Sequence, residues 1–193
     1  MKSMNWGGPR LWTILTALSL CLYVLAGQAS EAPRDPYEHF FQDSFGDFTE
    51  ELALAREQGK RGILIFFEMD ECPFCHRMKQ TVLNQAEVQD WYRENFLCFS
   101  VDIEGETEVV DFQGNTMTAR DFAFRVNRVR ATPVFMFYDL DGKPVLRYTG
   151  ATRDADEFMW LGEFVADNHY QSTKFTRYKR ARQAERKASQ QIQ

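Results

Sequence analysis

The chain has 193 residues, 44% of them hydrophobic and 15% aromatic with seventeen Phe, which supports one packed domain with appendages. Its net charge of −5 hides an asymmetry: residues 170–193 hold seven Lys or Arg against Glu185 alone, whereas residues 11–169 hold 27 acids against 14 bases. An acidic body with a basic tail excludes a nucleic-acid binder, whose positive charge would lie on the folded face, and four cysteines are too few for a disulfide scaffold.

Lys2 and Arg10 precede an apolar run from Leu11 to Leu25, and Gly27-Gln28-Ala29 closes it with small residues, the pattern of a signal peptide over residues 1–29 cleaved after Ala29. The run is shorter than the roughly 20 residues that span a bilayer, so a retained membrane anchor is the lesser reading. Leu20 is too large for a lipoprotein cleavage box before Cys21. A periplasmic or otherwise exported chain follows, with three cysteines left: a close pair and Cys98.

Residues 30–44 form a lead-in carrying Pro33, Pro36, Phe40 and Phe41. The domain proper takes residues 45–169, with an irregular insert at 104–131, and the basic tail is 170–193. Asp47 with Glu50 is a capping signature that opens a helix to about Gln58, closed by Gly59. Ile63 to Phe67 is a short, β-branched and aromatic run, as expected of a strand buried on both faces. A helix follows from His76 to Leu83. Asn84 and Glu87 repeat the capping pattern for a helix toward Asn95, and Phe96 to Val101 reads as a strand ending in Asp102. Gln113-Gly114-Asn115 predicts a turn between two short extended pieces, and Thr118 with Asp121 caps a helix through Val126. Val134–Tyr138 and Val145–Tyr148 form a hairpin across Asp141-Gly142. Asp154 to His169 is helical, with Phe158, Leu161 and Val165 on one face. Strands separated by helices, then a hairpin and a helix, predict a three-layer α/β domain.

The chemistry concentrates at Cys72-Pro73-Phe74-Cys75, at the junction of the Ile63–Phe67 strand and the helix after it. Pro73 suits the first helical position, where its missing N–H has no partner anyway. Cys72 then falls at or beside the N-cap, where free N–H groups and the positive end of the dipole stabilise a thiolate. Cys72 is the expected nucleophile, and Cys75, one turn deeper, resolves the mixed disulfide. His76, if protonated, lowers the thiol pKa, while Glu68, Asp70 and Glu71 raise it if close. Phe74, between the cysteines, is expected to be exposed as a contact for a partner protein.

Rival readings of the same residues are weaker. Cys72-Pro73-Phe74-Cys75-His76 satisfies the pattern for covalent c-type haem, with Met78, Met117, Met136 or Met159 as second axial ligand. Small cytochromes are helical, however, and here strands flank the motif. Zinc finds no two-plus-two spacing among Cys98, His39, His76 and His169, so no metal is expected. Cys98 reads as a core residue. The tail reads as a solvated, frayed end, with attraction to an anionic membrane surface through Tyr170, Phe175 and Tyr178 as the alternative.

The order strand, Cys-x-x-Cys, helix, then Thr132-Pro133 leading a strand and hairpin, resembles the thioredoxin fold family over residues 45–169. Within it the chain is most similar to the thioredoxin-related periplasmic proteins of the SoxW type. The resemblance implies a three-layer α/β/α sandwich with a central mixed sheet. It also implies a cis peptide at Thr132–Pro133 beside the cysteine pair, leaving main chain free to pair with an extended substrate segment. It implies an enzyme that reduces protein disulfides, with the redox-active disulfide as its only redox group and no further cofactor. A membrane thiol-electron donor of the DsbD or CcdA type would re-reduce it. Two departures stand out. Pro73-Phe74 replaces the family's Gly-Pro, and the buried acid six residues before the first cysteine falls on Phe66, which leaves Glu68 as the nearest candidate proton relay. Related pairs span about −270 to −120 mV, so direction is not fixed by the motif. The alternative within the same fold is a non-catalytic binding module whose pair rests as a stable disulfide.

Overall fold

The computed structural model describes residues 32–191. The expected signal peptide lies outside the described residues.

Strand β1 (Gly62–Glu68) is buried along its whole length because it has a neighbour on each side. Strand β2 (Phe96–Asp102) pairs with it in parallel, Gly62 opposite Phe96 through Glu68 opposite Asp102. Strands β3 (Glu108–Val110) and β4 (Thr116–Thr118) make a separate two-stranded ribbon around the turn expected at Gln113–Asn115. Strand β5 (Val134–Tyr138) runs antiparallel to β1, Phe67 opposite Val134, and β6 (Pro144–Thr149) closes the order β2-β1-β5-β6. Gly62 is required where it stands: a Cβ there would lie 2.1 Å from the carbonyl oxygen of Tyr138.

Period-two alternation divides the core between the two faces of this sheet. Leu64, Phe66, Cys98, Phe135 and Phe137 face α3 (Pro73–Thr81), α4 (Ala86–Asn95) and α6 (Ala155–Ala166), meeting Met78, Tyr92, Phe158 and Leu161. Ile63, Ile65, Phe67, Phe99 and Met136 face α2 (Phe48–Glu57) and the segment after β4, meeting Phe48, Leu52 and Phe122. The result is the expected α/β/α sandwich on a mixed sheet. The lead-in is part of it: after the single-turn α1 (Pro36–His39), Phe40 and Phe41 join the first face, and the N–H of Gln42 donates to the carbonyl of edge residue Cys98 at 2.8 Å.

Caps explain most helix boundaries. Asp47 accepts from the N–H groups of Thr49 and Glu50 at 2.8 and 3.2 Å, and Asp154 accepts from that of Glu157 at 2.9 Å. Three boundaries depart from the sequence reading. Asn84 does not cap α4; its amide donates backward to the carbonyl of Gln80 at 2.5 Å, filling an orphan acceptor in the last turn of α3, and Gln85 takes the cap position without a side-chain bond. The helix expected from Thr118 to Val126 is α5 (Ala119–Asp121) followed by a wider π-type turn over Phe122–Val126, which lets Phe122 stack on Phe48 with centroids 5.1 Å apart. Helix α6 stops at Ala166, and Asn168 turns the chain with φ of +58°.

The tail is not a frayed end. Helix α7 (Phe175–Gln190) lies against α6. Phe175 and Tyr178 pack on Phe164 at 5.5 and 5.4 Å, and Tyr170 joins the same cluster. Lys179 pairs with Glu157 at 2.5 Å and Arg182 with Glu163 at 3.0 Å, while Arg186 pairs with Asp154 and Asp156. The aromatics expected to meet a membrane are spent inside the molecule.

Glu157, only 2% exposed, also accepts from the Tyr148 hydroxyl at 2.9 Å. Burial raises its pKa, but the bonds from Lys179 and Tyr148 outweigh that and hold it below the ordinary 4.5. A depressed carboxylate contributes stability above its unfolded pKa and loses it as pH falls through the folded value. Lys179→Met is therefore expected to cost about 1–3 kcal/mol at neutral pH, a deficit that closes as pH falls through the folded pKa of Glu157. Urea denaturation at a series of pH values measures both.

Candidate active site

Cys72 is the N-cap of α3, with extended φ and ψ of −120° and 97°, and Pro73 holds the first helical position. The Sγ of Cys72 accepts the N–H of Cys75 at 3.1 Å. The two sulfurs are joined in a disulfide with Cα atoms 5.2 Å apart. Cys72 is 4% exposed and Cys75 0%, so the first cysteine is the one nearer solvent. Phe74, between them, is 61% exposed, as expected for a docking contact.

His76 is exposed, and its Nε2 lies 2.9 Å from the carbonyl oxygen of Asp70. A carbonyl only accepts, so Nε2 carries the proton there. The ring thereby ties the loop before Cys72 to the first turn of α3.

Thr132–Pro133 is a cis peptide. Since Phe67 opposes Val134, Pro133 stands at the end of the sheet from which the cysteine loop departs. The carbonyl of Pro133 accepts from Gly150 at 2.8 Å, and Arg77 of α3 donates to the carbonyl of Thr152; these bonds join the β6–α6 loop to both the cis-proline segment and the cysteine helix. Among the described residues, the main-chain N–H and C=O of Thr132 have no hydrogen-bond partner.

Phe66, where the family's buried acid is expected, is packed between Phe41 and Phe135 with centroids 5.8 and 4.9 Å away. The acid is two residues on. Glu68 is 7% exposed and follows Leu64 and Phe66 on the face shared with the cysteine pair. It accepts from Lys79 at 2.6 Å, from the Tyr37 hydroxyl at 2.9 Å and from the Ser100 hydroxyl. Lys79 also donates to the Tyr37 oxygen at 2.7 Å. Asp70 and Glu71, in contrast, are exposed. Burial disfavours the Lys79 ammonium, yet the bonds and charge of Glu68 and Tyr37 hold its pKa above the usual lysine value. Burial first, and then the Glu68 charge, push the Tyr37 hydroxyl up. Sequence reasoning found Glu68 but not its partners. The available signal was that a buried carboxylate needs a cation, and Lys79 stands four residues after Cys75, on the same helix face.

Cys98 is fully buried, and burial drives its thiol far above the ordinary range, the setting of a core thiol.

Comparison with known proteins agrees with this geometry. The family model described as a thioredoxin-like domain matches residues 48–166. The chain belongs to that thioredoxin-like family. Among solved structures, a thioredoxin-fold protein from Helicobacter pylori superposes with TM-score 0.60 at 23% identity, covering 81% of this chain and 95% of that one. A candidate disulphide-isomerase from Bacteroides thetaiotaomicron gives 0.53 at 19% identity, over 75% and 98%. A thioredoxin from Thermus thermophilus gives 0.48 at 28% identity, over 62% and 83%. A comparison with proteins of curated function finds no match. Within this thioredoxin-like fold, the Cys72–Cys75 disulfide stands at the corner between β1 and α3.

Removing Lys79 tests the charge cluster. Lys79→Met leaves Glu68 with neutral partners only and is expected to cost about 1–3 kcal/mol in urea denaturation. A lysine with a raised pKa contributes its stability below the unfolded value and loses it as pH rises through the folded one. The difference between wild type and variant should therefore hold through neutral pH and close only in strong alkali.

Proposed function

We propose that the chain is an exported thiol–disulfide oxidoreductase that reduces disulfides in protein substrates through Cys72 and Cys75. The observation that carries this reading is the Cys72 sulfur at the N-cap of α3, accepting the Cys75 N–H, because that position lowers the energy of a thiolate. In the reduced protein, the Cys72 thiolate attacks a substrate disulfide, forms a mixed disulfide and releases one substrate thiolate. Cys75 gives up its proton and its sulfur attacks Cys72, releasing the second substrate thiolate and closing the Cys72–Cys75 disulfide. Two electrons pass to the substrate, and the released thiolates take up protons.

Glu68 is the proposed acceptor for the Cys75 proton, since it is a buried carboxylate on the same face of the sheet. Phe74 offers an apolar contact, and the unpaired main chain of Thr132 beside Pro133 offers hydrogen bonds to an extended segment of the substrate. His76 tunes the thiol by fixing the cysteine loop and, when protonated, by its charge. Direction as a reductant rests on the SoxW-like resemblance and requires re-reduction by a membrane thiol-electron donor of the DsbD or CcdA type. Export rests on the Lys2–Ala29 pattern.

Reduction of insulin by a thiol donor tests the reading. Cys72→Ser is expected to abolish turnover, while Cys75→Ser accumulates a mixed disulfide with the substrate, seen as an adduct in non-reducing gels and mass spectra. If both variants match the wild-type rate, the fold serves as a docking module and the pair is structural.

A further inference from the structure

The seven cations of the tail divide between two faces of α7. At about 100° per residue, Lys179, Arg182 and Arg186 fall with Phe175 and Tyr178 on the face that meets α6, where Glu157, Glu163, Asp154 and Asp156 neutralise them. Arg186 also stacks over Trp160, its guanidinium carbon 5.5 Å from the ring centroid. Arg177, Arg180 and Lys187 fall on the opposite face, and Lys174 stands at the start of the helix. These four are exposed, and among the described residues none has a carboxylate partner. Glu185, the tail's one acid, is turned to Arg182 instead.

We infer that this outer face of α7 is a peripheral docking surface for an anionic lipid bilayer. The face spans 16 residues, about 24 Å of helix, and presents positive charge with only small or polar residues such as Thr176 and Ala184 between the cations. Protein interfaces are anchored by aromatic and other large side chains and are depleted in lysine; here the aromatics face inward. A surface that offers charge without shape suits a partner that is itself a flat, repeated charge. Ser172, Thr173 and Thr176 line a shallow cleft of about 480 Å³ with Lys174, Arg177 and Arg180, where lipid phosphates would meet charge and the exposed Thr176. The acidic body does not oppose this contact at ordinary ionic strength, because charges more than about 8–10 Å away are screened. It orients the molecule instead, turning the acidic faces from the lipid. With Phe175 and Tyr178 committed to Phe164, the contact is electrostatic and does not penetrate. The inference stands independently of the thiol chemistry.

The test uses the full chain and vesicles of phosphatidylcholine with or without phosphatidylglycerol. The readout is site-specific, so that any lipid contact of the apolar Leu11–Leu25 run does not enter it: acylation rates of individual lysines, followed by mass spectrometry. Anionic vesicles at low salt should protect Lys174 and Lys187 but not Lys143, whose side chain is 73% exposed on the β5–β6 turn. Neutral vesicles or high salt should remove the protection. In soluble-phase partitioning, each Gln replacement among Lys174, Arg177, Arg180 and Lys187 should weaken the anionic-lipid preference roughly fivefold, with insulin reduction unchanged. Equal labelling of Lys174 and Lys187 with and without anionic vesicles would overturn the inference. So would protection by neutral vesicles, protection that survives high salt, or a four-Gln variant that keeps its lipid preference. Protection conferred only by an acidic protein would reassign the face to that partner.

Discussion

One hydrogen bond sets the terms for the rest of the structure: the N–H of Cys75 donating to the sulfur of Cys72 across the first turn of α3. It exists because the chain leaves a buried strand and enters a helix within a few residues, with Pro73 fixing the first helical position. An unsatisfied N–H at a helix start is costly if buried, and here a sulfur occupies the place usually taken by Ser, Thr or Asp. A neutral thiol or disulfide sulfur accepts weakly, whereas a thiolate accepts strongly. In the function proposed above, the corner would favour the charged, reduced form of Cys72, and the sandwich around it keeps that corner in place.

The same logic governs the carboxylate beside it. A thioredoxin-like core has room for an acid on the cysteine-facing side of β1, but at Phe66 the aromatic lead-in closes that room: Phe41 and Phe135 enclose the ring. Moving the acid two residues along the strand keeps its face and brings it to the end of the strand, where Lys79, Tyr37 and Ser100 reach it. Three residues from three different segments thus converge on one buried charge. Lys79 belongs to the cysteine helix and Tyr37 to the lead-in, so the segment before the family domain is tied to the helix that carries the thiols.

How far this was legible from sequence follows the range of each interaction. Local signals held where local physics decides: Asp47 and Thr118 cap their helices, Asp141-Gly142 turns the hairpin, and the strand–cysteine–helix order identified the fold. The cis Thr132–Pro133 bond came from family resemblance, since isomer preference is not written in composition. Asn84 misled because its side chain donates to the carbonyl of Gln80 in the earlier helix instead of accepting N–H groups of the next one. The partners of Glu68 lay 11 to 32 residues away in sequence and carried no spacing that marks them.

The tail was the largest misreading, and its cause is physical. Read alone, residues 170–193 are a basic segment with few apolar anchors, which is the composition of a solvated end. What composition omits is that α6 presents acids at the matching spacing. Asp154, Asp156, Glu157 and Glu163 form a ladder that only a helix with cations three and four residues apart can meet. Glu157 could not be buried beside Tyr148 without Lys179, so the acidity of the body and the basicity of the tail are two halves of one interface. The pairing also sorts the tail's charge. Cations that satisfy α6 lie inside, and those in excess of its acids are left on the one face of α7 that has no reason, within this molecule, to be positive.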